Sequence, residues 1–148
     1  MPTSPIVCAV DFAEPSDRAL EHAVALAKLL DAPVLAVHAW SLPAFAGPDS
    51  AFVFGPEVVG EITTALQSQL HLLLGRYKES GVSLEGRLMV GAPVEAVIDA
   101  AEKNAAQYIV ISTHGRSGLS RFVLGSVAER MVRMSPIPVI VVPLKTAK

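Results

Sequence analysis

The chain has a single cysteine, Cys8, so no internal disulfide can brace it. One thiol, together with a start (Met1-Pro2-Thr3-Ser4-Pro5) lacking the basic region of a secretory leader, predicts a reducing, cytoplasmic setting. Charge is scarce, at 18% of residues, and it is not basic: 12 Lys and Arg stand against 14 Asp and Glu, a formal net charge of −2. With no basic surplus to neutralise phosphates, general nucleic-acid binding is excluded. Long apolar runs are missing too. The longest stretch free of Asp, Glu, Lys and Arg is Ala32 to Pro48, 17 residues interrupted by Pro33, Pro43 and Pro48. A spanning helix needs about 20 mostly apolar residues, so no membrane span is expected. Finally, the four histidines (His22, His38, His71 and His114) include no pair at metal-ligand spacing, which argues against a zinc site.

What the chain does have is apolar content. Hydrophobic residues make up 51% of 148, which excludes disorder and suits one domain over residues 1–148. Ile6 to Val10, Val34 to Ala39, Val82 to Val90, Tyr108 to Ile111 and Pro138 to Val142 read as strands. The third is more mixed in polarity and so less buried. Between them run helical patterns: Leu20, Ala23, Val24, Ala27 and Leu30; then Val59, Ile62, Leu66, Leu70, Leu73 and Tyr77, with Gly81 past the end. Val94, Val97, Ile98 and Ala101 mark a third helix, and Val123, Val127, Met131 and Met134 a fourth. Apolar strands alternating with amphipathic helices predict an α/β, Rossmann-like fold, an open five-stranded parallel sheet with helices on both faces. In such sheets ligands sit beyond the carboxyl ends of the strands. This selects Asp11 and its loop, Ala39-Trp40, Gly91-Ala92-Pro93 and Ser112 to Ser120.

The last of these is the most informative. Ser112-Thr113-His114-Gly115-Arg116-Ser117-Gly118 follows a buried strand, and Gly125-Ser126-Val127 opens the next helix. Glycines let the backbone approach a ligand, and a helix N-terminus favours an anion. Arg116 and Arg121 could add charge-assisted bonds to phosphate oxygens. Together these features suggest a phosphate cradle. It is of no common type: there is no Gly-x4-Gly-Lys-Ser/Thr string, and no Gly-x-Gly-x-x-Gly after the first strand. Gly115-Arg116-Ser117-Gly118 is one residue short of a nucleophile elbow.

With these residues in view, the chain resembles the universal stress protein family over nearly its whole length. The family's nucleotide-binding members show Gly-x2-Gly-x9-Gly-Ser/Thr. Here Gly115 is followed by nine residues, Arg116 to Leu124, and then Gly125-Ser126. The first glycine of the pattern falls on Ser112, a departure. Val10-Asp11, Val37-His38-Ala39, Gly91-Ala92-Pro93 and Pro136 to Val142 also look like the family. The resemblance implies strand order 3-2-1-4-5 and ATP, with Mg²⁺ able to accompany it, between the ends of strands one and four. Ala9, Val10, Asp11 and Ala39 would line the adenosine end. Ser112, Thr113, His114, Gly115, Arg116, Ser117, Gly125, Ser126 and Val127 would wrap ribose and phosphates. It further implies a homodimer through the last strand, Val139 to Val142, and a nucleotide-dependent regulatory or protective role in stress response, with an unidentified protein partner as one outlet.

Several readings stay open at this level. Ser112 weakens ATP binding if the first glycine serves close approach, and costs little if only its backbone N–H matters. A non-nucleotide member acting through protein contacts is the alternative, and a slow ATPase or adenylyl-transfer enzyme another. No carboxylate base, Walker-type lysine or arginine finger is evident, so any turnover is expected to be slow. His114 could be a base or a hydrogen-bonding turn residue. Asp11 could accept ribose hydroxyls or cap the helix after it. Ser41 to Gly55 could be a lid or a surface connection.

Overall fold

The computed structural model describes residues 3–42, 55–113 and 124–144. Among the described residues five strands and four helices alternate: β1 (Ile6–Ala9), α1 (Glu14–Leu30), β2 (Val34–Trp40), α2 (Pro56–Gly75), β3 (Leu84–Val90), α3 (Pro93–Lys103), β4 (Tyr108–Ser112), α4 (Ser126–Met134) and β5 (Val139–Val142). All pairings are parallel, as the apolar strands predict, and the strand order is β3-β2-β1-β4-β5, as the family resemblance implies.

Side-chain alternation divides the core in two. Ile6, Cys8 and Val10 of β1 and its exit join Val34 and Ala36 of β2 beneath α1 and the end of α2. Val7, Leu35, Val37, Ile109 and Ile111 face the other way, under α3 and Met131 of α4. Ile6, Val7 and Cys8 are fully buried, because β1 is central and covered on both faces. Burial pushes the Cys8 thiol well above its ordinary pKa, so it acts as a small apolar side chain.

The helices follow local rules. Ala19, Leu20, Ala23, Val24 and Ala27 form the buried stripe of α1. Pro15 sits in its first turn with Glu14 and Asp17, and Lys28 is in its last, which suits the helix dipole. Asp31, at φ 50°, ends it in a left-handed cap whose N–H donates to the Ala27 carbonyl.

α2 differs from the sequence pattern. The apolar stripe runs on to Tyr77, yet the helix stops at Gly75. Beyond it the chain tightens into shorter-range bonds, Arg76 N–H to the Leu73 carbonyl and Tyr77 N–H to the Leu74 carbonyl. Tyr77 still packs on the core. The stripe therefore marks what is buried, not where the helix ends. Only Leu70 and Leu73 of α2 are buried, while Val59, Ile62 and Leu66 are half-buried. β3 is an edge strand with half-buried positions, which explains its mixed polarity.

Candidate functional site

The β1–β4 ladder ends at the Cys8↔Val110 pair, and the two strands then part. Beyond that point lies a cavity of about 360 Å³. Its floor is the carboxyl end of the sheet: Ala9, Val37, Ala39 and Ile111. Pro93 and Val97 of α3 form one wall; Gly125, Ser126, Val127 and Ala128 at the start of α4 form another. Asp11 and Ser16 close the side toward α1, and Ser112 and Thr113 the side toward β4. Val10 also borders it, though its side chain belongs to the opposite core, so it presents backbone.

Backbone bonds hold the β4 side in place. Thr113 N–H donates to the Val142 carbonyl at 3.0 Å, and Gly125 N–H donates to the Thr113 carbonyl at 2.7 Å. The second bond ties the start of α4 to the end of β4. Gly125 is the N-cap residue of α4, in an extended conformation, and having no side chain it does not itself cap the helix. The N–H groups of Ser126, Val127 and Ala128 open the helix beside the cavity, where a helix N-terminus attracts an anion.

The β1–α1 turn is shaped by side chains. Asp11 Oδ1 accepts the Ala13 N–H at 2.9 Å, and Asp11 N–H donates to Ser16 Oγ at 3.1 Å. Ser16 Oγ–H in turn donates to the Ala13 carbonyl. Asp11 thus fixes the turn ahead of α1 instead of capping the helix, whose N-cap is Ala13. Between them Phe12 adopts φ 66°, a left-handed conformation unfavourable for a bulky residue. Its ring lies 4.5 Å from that of His38, centroid to centroid. His38 sits on the opposite sheet face, as alternation with Val37 and Ala39 requires.

After β3, Gly91 has φ 140° and donates its N–H to the Trp40 carbonyl, a conformation that favours glycine and that sends the chain into α3. Between the two helices, Arg130 of α4 bonds Glu95 of α3. The Glu95 carboxyl is held below its ordinary pKa by its own backbone N–H and then by Arg130.

Of the residues selected from sequence, Ala9, Val10, Asp11, Ala39, Ser112, Thr113, Gly125, Ser126 and Val127 come together around this one cavity. His114, Gly115, Arg116 and Ser117, with Gly118 and Arg121, lie outside the described residues, as does most of the Ser41 to Gly55 segment. The cavity also takes in Ser16, Val37, Val97, Ile111 and Ala128, which sequence reasoning misses. Alternation could find Val37 and Ile111, one step before the strand ends that the sequence marks. Ser16 carries no sequence signal beyond being a hydroxyl in a helix start. Among the described residues no group of three or more His, Cys, Asp and Glu could hold a metal ion, and no helix is long and apolar enough to cross a membrane.

Comparison with known proteins agrees with this architecture. The model of the universal stress protein family matches residues 2–143. A universal stress protein of Methanocaldococcus jannaschii is 33% identical over 138 residues, covering 93% of this chain and 80% of the relative. Among solved structures, a universal stress protein from Archaeoglobus fulgidus in complex with dAMP is 29% identical, with a TM-score of 0.64, covering 95% of this chain and 98% of that one. Another universal stress protein, in complex with cAMP, is 26% identical with a TM-score of 0.69, covering 94% and 96%. The chain belongs to the universal stress protein family.

Proposed function

We propose that the cavity between the ends of β1 and β4 binds an adenine nucleotide, and that the chain is a nucleotide-dependent regulatory or protective module of the cytoplasmic stress response. One observation carries the reading: apolar walls and the glycine-led start of α4 meet in a single cavity. Ala9, Val37, Ala39, Val97 and Ile111 offer a surface for a flat aromatic base. The N–H groups at Ser126 to Ala128 offer donors and a positive dipole end for phosphate oxygens. Related proteins of this family are solved with dAMP and with cAMP, which share an adenine and one phosphate.

The finer reading is ATP. His114, Gly115, Arg116 and Ser117 would then extend the cradle toward the outer phosphates. Asp11 is the carboxylate that borders the cavity among the described residues, and no three-ligand cluster accompanies it. Mg²⁺ would therefore be held mainly by the phosphates and water, as that ion commonly is. The whole of residues 1–148 would form one domain of this kind.

The deciding measurement is direct. Protein purified without added nucleotide is denatured and its released small molecules are identified by mass spectrometry. Release of ATP near one per chain, or binding heat on titrating Mg-ATP, is the expected result. Release of nothing, with no heat from Mg-ATP, AMP or cAMP, would overturn the reading in favour of a member acting through protein contacts.

The same proposal includes a homodimer through β5. This strand is at the sheet edge, and Val139, Ile140 and Val141 are half-buried. Val132 and Met134 on neighbouring α4 are exposed. An apolar edge of this kind invites pairing with another copy. Light scattering at micromolar concentration should give twice the chain mass, and Val141→Lys should give a monomer. A wild-type monomer would count against it.

A further inference from the structure

We propose that His38, on the sheet face opposite the cavity, is a positioning residue that holds Asp11 in the site from behind. The role in ligand binding rests on the nucleotide reading above.

His38 is buried, and a buried imidazole needs a hydrogen-bond partner. Its Nδ1 lies 2.7 Å from the Val10 carbonyl oxygen. A carbonyl only accepts, so Nδ1 carries the hydrogen and donates it. The position of this bond gives it meaning. Val10 is the first residue after β1, and its N–H still bonds the Val37 carbonyl of β2. On its other side the ladder to β4 has already ended at Cys8↔Val110. The strands must part here for the cavity to exist, and His38 supplies a donor to the carbonyl at that point.

The imidazole also meets the residue on the other side of Asp11. Phe12, in its left-handed conformation, lays its ring 4.5 Å from His38 with the planes at 38°. One side chain therefore grips both neighbours of Asp11, Val10 through a hydrogen bond and Phe12 through a ring contact. Val10 and Phe12 both pack on the α1 face, while Asp11 between them borders the cavity. Ser16 then fixes the Asp11 N–H from the helix side. His38 and Phe12 do not border the cavity themselves. An apolar residue at 38 would fill the space, yet leave the Val10 carbonyl without its donor and the Phe12 ring without its aromatic partner.

The test compares His38→Leu with His38→Asn. Both Asn Nδ2 and His Nδ1 are bonded to Cγ, so asparagine can keep the donor while losing the ring. His38→Leu is expected to weaken ATP binding by about tenfold, the scale of a buried carbonyl losing its donor. It should speed amide exchange at Asp11, Phe12 and Ala13 by about tenfold as well, with the amides of α3 unchanged. His38→Asn should return affinity to within about threefold of wild type. Should His38→Leu not fold, His38→Gln replaces it, since its amide sits one bond too far out. Wild-type affinity and exchange in the Leu or Gln variant would overturn the role, and so would an Asn variant as weak as Leu. A wild-type protein that binds no nucleotide overturns the ligand reading by itself. The exchange rates then decide the grip on the turn: local acceleration supports it and unchanged rates overturn it.

Discussion

Replacing Gly125 and Ser126 together by leucine is expected to abolish ATP binding while leaving the fold intact. Both residues border the cavity, at the end of α4 whose N–H groups face it. Two bulky apolar side chains there would occupy the space of the phosphates and shield those donors. A hydrogen bond to a charged group is worth about 1.5–3 kcal/mol, so losing two costs about 3–6 kcal/mol. That is a fall in affinity of about two to four orders of magnitude, roughly from micromolar to beyond ordinary titration. The backbone should tolerate the change, because Gly125 is at φ −60°, ψ 155°, an extended conformation open to any residue, and since Gly125 is buried the melting temperature is the check on its packing. Ser126 is exposed. The loss of a favourable N-cap type costs about 1 kcal/mol at most for such a change, a shift of a few degrees in Tm. Calorimetric titration and thermal melting separate the two effects. Unchanged affinity in a folded variant would sink the assignment of this cavity, whatever the wild type binds.

The prediction draws on a part of the site that is legible in the amino-acid sequence. Gly125-Ser126 sits at a strand-helix junction, and the sequence marks such junctions by an apolar run, a polar loop and an amphipathic stripe. Asp11 and Ala39 are legible for the same reason, lying within two residues of a strand end. The parallel sheet is legible because β1 and β4 are apolar on both faces, which a half-solvated strand is not. Ser16 and His38 belong to another category. Each is a polar residue buried by tertiary contact, and its partner is a backbone group brought near by turn geometry or by the sheet: the Asp11 N–H for Ser16, the Val10 carbonyl for His38. Periodicity places His38 away from the cavity, and correctly so, but does not say what it touches. Helix ends are the least legible. The stripe through Tyr77 obeys burial, and burial continues into the turn after α2.

Gly86 is the sharpest case of a residue whose reason is invisible in the sequence, and Gly86→Val is expected to be strongly destabilising. It lies in β3, where a glycine weakens a strand and valine would suit it. Propensity alone therefore predicts that valine stabilises, by up to about 1 kcal/mol. Packing predicts the opposite and should win. A Cβ at Gly86 would lie 2.7 Å from Leu70 Cγ, 2.8 Å from Leu70 Cδ2 and 2.9 Å from Leu74 Cδ1. Two of these atoms belong to Leu70, which is 5% exposed and locked in the core, and Cγ is not a tip that can swing aside. α2 comes this close to the sheet only because β3 presents no side chain there. Overpacking of this kind costs about 1–3 kcal/mol, and the two further methyls of valine place it toward the upper end. With propensity subtracted, a net loss of about 2 kcal/mol lowers Tm by about 4–8 °C for a chain of this size. Gly86→Ala should fall between. Trimming the neighbour provides the check: in Gly86→Val with Leu70→Ala, the space removed by one change is returned by the other. The combined loss should be clearly smaller than the sum of the single ones. The side chain at 86 faces α2, on the sheet face opposite the cavity, so ATP affinity should be the same in Gly86→Val as in wild type below the melting range. A valine variant melting at or above wild type would mean that α2 can shift on β3 at little cost, and that its close packing is not what requires glycine.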